Sequence, residues 1–106
     1  MNNLQFKIYW VDLSPTIGSE QNGVRPCVII SNDKVNKHLK TVIIAPLTST
    51  IKNYPTRIDC VVSNKAGQIV LDQIRTVDKV RLKNQIDELD TKTAGAVVNA
   101  LKILFS

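Results

Sequence analysis

The chain has 106 residues, of which 43% are hydrophobic and 22% charged, which fits one globular domain spanning 1–106 and excludes a disordered or low-complexity protein. No apolar run approaches the ~18 residues that cross a bilayer, and Met1–Lys7 lacks the basic-then-apolar pattern of a secretory signal, so a cytoplasmic protein without membrane contact is expected. The net charge of +5 is concentrated in the middle: residues 34–83 carry ten basic groups against Asp59, Asp72 and Asp78, for +7, while the segments on either side sum to −1 each. Such a distribution points either to a polyanionic partner, nucleic acid or an acidic protein segment, or to a mildly basic solvated surface.

Phe6, Ile8 and Trp10 alternate with Lys7, Tyr9 and Val11 in a strand pattern rich in aromatic and β-branched residues. Ser14 to Gly23, bounded by Pro15 and the glycines, reads as a long loop. Arg25–Ser31 contains the continuous apolar run Cys27-Val28-Ile29-Ile30 of a buried strand, and Pro26 must stand at its start or at an edge because it donates no ladder hydrogen bond. Asn32 or Asp33 is placed to cap one or two helical turns running through Asn36 to Leu39.

Thr41–Leu47 reads as the third strand and Thr48–Pro55 as a polar loop. Arg57–Val62 reads as the fourth strand, Ser63-Asn64-Lys65-Ala66-Gly67 as a turn, and Gln68–Leu71 and Ile74–Val80 as one or two more strands. From Asp90 the period changes: Ala94, Val97, Val98, Leu101, Leu104 and Phe105 form one apolar helical stripe, with Asp90 or Thr91 available as its cap. The expected fold is therefore mainly β, a small bent antiparallel sheet or barrel with short helices and a C-terminal α-helix packed against it.

The available chemistry is narrow. His38 is the only histidine, so no histidine pair can run acid–base phosphodiester chemistry and no His/Cys cluster can hold zinc. None of the glycines builds a phosphate-binding loop, and Asp12, Asp72 and Asp78 lack the spacing of a metal site, so neither metal nor cofactor is expected. Cys27 and Cys60 stand in apolar runs and read as buried small hydrophobes.

Polar residues beside strands are the remaining candidates. Gly23-Val24-Arg25-Pro26 holds an arginine between a glycine loop and a buried strand, and Pro46-Leu47-Thr48-Ser49-Thr50 sets three hydroxyls where a strand becomes a loop. In Asp72–Lys79, Asp72, Ile74, Thr76 and Asp78 fall on one face and Gln73, Arg75, Val77 and Lys79 on the other. Each also has an ordinary structural reading: a salt-bridged Arg25, a Thr48 that completes a turn, an Arg75 paired with Asp72 or Asp78.

Together, Ile8-Tyr9-Trp10-Val11-Asp12-Leu13-Ser14-Pro15, Gly18-Ser19-Glu20-Gln21-Asn22-Gly23-Val24-Arg25-Pro26, Ala45-Pro46-Leu47-Thr48-Ser49 and Leu71–Leu82 closely resemble the MazF/PemK family of bacterial toxins, in family order and over nearly the whole chain. The resemblance implies an SH3-like barrel of about five to seven strands with helical decoration, and a homodimer. It implies a sequence-specific endoribonuclease that cuts single-stranded mRNA and arrests growth, neutralised by a cognate antitoxin with an acidic, partly disordered tail. Matched residue by residue, the catalytic arginine falls on Arg25 and the catalytic threonine on Thr48. Ser19, Glu20, Gln21 and Asn22 match the loop flanking the site, where Glu20 would orient Arg25 or assist proton transfer. Gln73 and Arg75 match RNA contacts, and Tyr54 and Arg57 join them by position, Tyr54 as a surface on which a base can stack or as a residue packed on its own loop.

The resemblance further implies attack of the RNA 2′-hydroxyl on the adjacent phosphate, leaving 2′,3′-cyclic phosphate and 5′-hydroxyl ends without a metal. Arg25 suits the charge of the pentacoordinate phosphate, because its planar fork matches phosphate oxygens. Phe6-Lys7 stands where many relatives carry Gly-Asp, and Cys27 where an aliphatic residue is commoner. Two alternatives remain beside this reading: a non-catalytic, CcdB-like toxin that inhibits DNA gyrase, and an inert RNA-binding module of the same fold. Against the first, the CcdB mode leans on a C-terminal tryptophan, whereas this chain ends Leu104-Phe105-Ser106 and its one tryptophan is Trp10.

Overall fold

The computed structural model describes residues 3–15, 17, 18, 20 and 23–106. Its strands are β1 (Lys7–Asp12), β2 (Val24–Ile29), β3 (Thr41–Thr48), β4 (Arg57–Val62), β5 (Lys65–Val70), β6 (Arg75–Asp78) and β7 (Leu82–Glu88). The helices are α1 (Asp33–Asn36) and α2 (Thr91–Leu104), with 3-10 turns at Leu71–Gln73 and Lys79–Arg81. All strand pairs are antiparallel, in the order β4-β5-β3-β2-β1-β7, with β6 also on β3. The expected mainly β architecture with a C-terminal helix is the one observed.

The centre of the sheet is covered on both faces, which is why its strands read as unbroken apolar runs rather than as clean alternation. On one face Ile8, Val28, Ala45, Leu47, Ile69 and Val97 form a core with the helix α2. On the other, Val11, Leu13, Cys27, Ile29, Val42, Ile44 and Val77 form a second core with Leu4. Neighbours in β2 therefore alternate between two interiors, Cys27 and Ile29 into one and Val28 into the other. Pro26 lies one residue beyond the β2–β3 ladder, whose last pair is Cys27 with Pro46, so no bond to β3 is lost there.

Asp90 caps α2 by accepting from Thr93 N at 2.7 Å, and that bond holds its carboxyl below the usual carboxylate range. The helix packs on β4 and buries Ala94 and Val97, and burying a side chain such as Val97 is worth about 1.5–3 kcal/mol. The far end of its apolar stripe is uncovered, with Leu104 40% and Phe105 69% exposed. No helix of the described residues is long and apolar enough to cross a membrane.

Several boundaries differ from the sequence expectation. The turn expected over 63–67 is only Ser63-Asn64, both at positive φ (50° and 65°), and Lys65 already pairs with Val62. Two successive left-handed residues give the twist a two-residue hairpin needs, and asparagine tolerates that conformation. The segment expected as one strand from Ile74 to Val80 is only β6, and Val80 lies in a 3-10 turn. β7 was not expected at all: Leu82 and Ile86 are its only half-buried apolar residues, and it pairs with β1 alone through an irregular register. In β1 alternation sends Ile8 into one core and Val11 into the other, while Trp10, on the Ile8 side, is 42% exposed.

Candidate functional site

Sheet register builds the site. Cys27 pairs with Pro46, Val28 with Ala45 and Ile29 with Ile44, and the ladder ends there, two residues short of Arg25 and Thr48. There β3 leaves β2 and pairs with β5 instead, Leu47 with Ile69 and Thr48 with Gln68. The parting of the strands opens a groove of about 430 Å³, lined by Arg25 and Thr48 together with Trp10, Pro26, Ser49, Val62, Lys65 and Ile86. Gly67 makes the approach of β5 possible, because a Cβ there would lie 2.9 Å from the Thr48 carbonyl oxygen.

Arg25 is exposed on β2. Thr48, half-buried, accepts a hydrogen bond from Thr50 N at 3.1 Å through Oγ1, which leaves its hydroxyl proton available to donate. Strand alternation sets Arg25 on the same side of β2 as Cys27. Burial pushes the Cys27 thiol up to about 12 even though the charges of Arg75 and Arg25 both pull it down. Burial, and then the Asp59 carboxylate, pushes the Cys60 thiol up to about 11. Both cysteines are reduced, buried and poor nucleophiles, as their apolar settings indicated.

Glu20, Gln73 and Arg75 meet in a neighbouring hollow with Leu13, Pro15, Pro46 and Asp72. The Glu20 carboxylate accepts from Ile17 N at 3.0 Å, and Arg75 donates to the Leu13 carbonyl at 3.1 Å. The hollow and the groove adjoin along the end of β3, where Pro46 lines one and Thr48 the other. Ser19, Gln21 and Asn22 lie outside the described residues.

Tyr54 and Arg57 come together, but neither lines the groove. Arg57 Nη1 donates to the Thr50 carbonyl at 3.0 Å and to Gln68 Oε1 at 3.1 Å, and its guanidinium stands 5.5 Å from the Tyr54 ring centroid. His38 is exposed and takes no part. Among the described residues, no three His, Cys, Asp or Glu side chains gather where a metal ion could sit.

Three residues escaped the sequence reading of the site. Trp10 and Lys65 line the groove because β1 and β5 border it, and an aromatic on a strand gives no sign of facing outward. Gln68, 4% exposed, stands directly opposite Thr48. Its signal was present as the one polar side chain in Gly67-Gln68-Ile69-Val70-Leu71.

The chain matches known proteins along nearly its whole length. The family model for PemK-like, MazF-like toxins of type II toxin–antitoxin systems matches residues 4–105. The chain belongs to this toxin family. It is 45% identical over 102 residues to the endoribonuclease MazF of Staphylococcus saprophyticus, covering 91% of this chain and 85% of that one. Against the endoribonuclease EndoA of Bacillus subtilis the identity is 40% over 102 residues, covering 91% and 88%. A solved endoribonuclease from a mycobacterial species, in complex with its cognate antitoxin, superposes with a TM-score of 0.84 at 27% identity and covers 98% of this chain and 95% of that one.

Proposed function

We propose that this family member, an endoribonuclease toxin, cuts single-stranded mRNA at specific sequences by attack of the RNA's own 2′-hydroxyl, without a metal ion. The observation that carries the reading is that Arg25 and Thr48 line one groove. The 2′-oxygen forms a bond to phosphorus while the bond from phosphorus to the 5′-oxygen breaks. The 2′-hydroxyl loses its proton to water, and the departing 5′-oxygen takes one from water. The products are a 2′,3′-cyclic phosphate and a 5′-hydroxyl end.

Arg25 faces the doubly negative pentacoordinate phosphate with a fork of N–H donors, and Thr48 donates its hydroxyl proton to a non-bridging oxygen. Glu20 is bonded to its own loop at Ile17 N, which favours a part in shaping that loop over proton transfer. Gln73 and Arg75 extend the RNA surface into the adjoining hollow, and Ser19, Gln21 and Asn22 are proposed as further RNA contacts. Tyr54 offers a ring for stacking, backed by Arg57.

The cognate antitoxin is expected to cover the same basic groove with an acidic segment, since such a segment and an RNA backbone make similar electrostatic demands. A second copy of the chain is its expected partner in a cytoplasmic homodimer. The test is incubation of purified protein with a long single-stranded RNA in EDTA, followed by mapping of the new ends. Discrete cuts bearing 5′-hydroxyl termini support the reading; an intact RNA, or cutting that needs an added divalent ion, overturns it.

A further inference from the structure

Gln68 is buried in the sheet, 4% exposed, and a buried amide costs free energy unless its polar atoms are used. Its hydrogen bonds are shared between the segment that leaves Thr48 and the strand β4 beside it. Oε1 accepts from Lys52 N at 3.0 Å and from Arg57 Nη1 at 3.1 Å. Nε2 donates to the Lys52 carbonyl at 3.1 Å and to Asp59 Oδ1 at 2.9 Å. The two bonds to Lys52 reproduce, with a side chain, the reciprocal pair that two residues exchange in an antiparallel ladder. Only a carboxamide offers both a donor and an acceptor in that geometry.

The strand that pairs with Thr48 thus also grips the middle of the 49–56 loop. That loop starts at the groove, where Ser49 forms part of the wall, and carries Tyr54 further out. Arg57 adds a second strut, held by Gln68 and Thr50 and facing the Tyr54 ring.

We propose that Gln68 is a positioning residue for base selection: by clamping both peptide groups of Lys52 it fixes the 49–56 loop as a rigid wall beside Thr48, against which the nucleotides next to the cut phosphate are read. The assignment rests on the endoribonuclease reading above. Gln68 touches no substrate and acts through the loop.

The test compares wild type with Gln68→Met, which keeps the length of the side chain and removes the amide. One long RNA is mapped for all cut sites, and kcat and KM are measured on an oligonucleotide carrying the preferred site. The variant is expected to cut with kcat within a few-fold of wild type and KM raised roughly tenfold. Its preference for the best site over single-base variants of that site falls by about the same factor. A merely structural role would lower the active fraction and leave that preference unchanged.

Should Gln68→Met not fold, the clamp is opened from its exposed end. Lys52→Pro removes the N–H that Gln68 accepts and should lose the same preference, whereas Lys52→Ala removes only the charge and should retain it. Wild-type preference in the folded Gln68→Met, or in Lys52→Pro, overturns the assignment. A wild type that cuts no RNA overturns the endoribonuclease reading itself, and the assignment with it.

Discussion

Two buried side-chain amides mark opposite ends of the β2–β3 ribbon, and they are used differently. Asn36, in the connection between the strands, accepts from Ser31 Oγ and donates to the Ser31 carbonyl and to Asp33 Oδ1, all within five residues of chain. Gln68, beside the parting strands, reaches Asp59, Arg57 and Lys52, from nine to sixteen residues away. The first closes a turn and leaves nothing open. The second holds a loop in place next to the groove. A buried amide whose partners are local stabilises a connection, whereas one whose partners are distant sets the relative position of two surfaces.

The largest expected effect lies in the groove. Arg25→Ala and Thr48→Ala should each lower the cleavage rate by about 10²–10³-fold, the usual loss for one charge-stabilising donor, while leaving the far-ultraviolet circular dichroism unchanged. Either variant cutting at the wild-type rate would separate the groove from the chemistry.

Gly67→Ala comes next. The added methyl meets the Thr48 carbonyl at 2.9 Å, so β5 must move away from β3, at a cost of about 1–3 kcal/mol. Loss of both melting temperature and turnover is expected, because the strand that moves is the one paired with Thr48.

Asn36→Ala should cost about 1–3 kcal/mol by stranding the groups that the amide satisfies. Activity per folded molecule should stay at the wild-type level, which thermal melts and active-site titration check together. A selective loss of cleavage here would erase the contrast between the two ends.

The smallest effect is on acid stability. Burial alone would raise the Asp33 carboxyl, but hydrogen bonds from Leu4 N, Gln5 N and Asn36, with the charge of Lys7, together hold it below its ordinary value. Asp87 is held down by the amides of Ser63 and Glu88. Carboxyls lowered by folding contribute stability that is present above their unfolded pKa of about 3.9 and is lost as the pH falls through the folded values. The melting temperature should therefore fall below about pH 4, and Asp33→Asn should flatten that fall.

Much of this was legible in the sequence, for reasons that differ between elements. The run Cys27-Val28-Ile29-Ile30 announced a strand buried on both faces, and Asp90 announced the start of the C-terminal helix, because burial and capping leave local marks. Arg25 and Thr48 were singled out through the blocks around them, and both line one groove. β7 was hidden because its pairing with β1 is a backbone matter that its polar side chains do not record. Gln68 was hidden because its partners lie on another strand and a loop, and sequence spacing carries no trace of them. Arg57 joined the RNA contacts by position only, and its bonds to Thr50 and Gln68 were not visible in the sequence. Charge in the sequence does not reveal which basic groups the fold occupies internally.

The central claim is that the groove of Arg25 and Thr48 lets the RNA cut itself through its 2′-hydroxyl. The most direct measurement uses a short RNA containing one mapped cut site, with and without a single 2′-deoxy substitution at the attacking nucleotide. The account predicts that the deoxy strand binds normally and is not cut at that position, in EDTA as in buffer. Cleavage of the deoxy strand at the same phosphate would contradict it, because water and not the 2′-oxygen would then be the nucleophile.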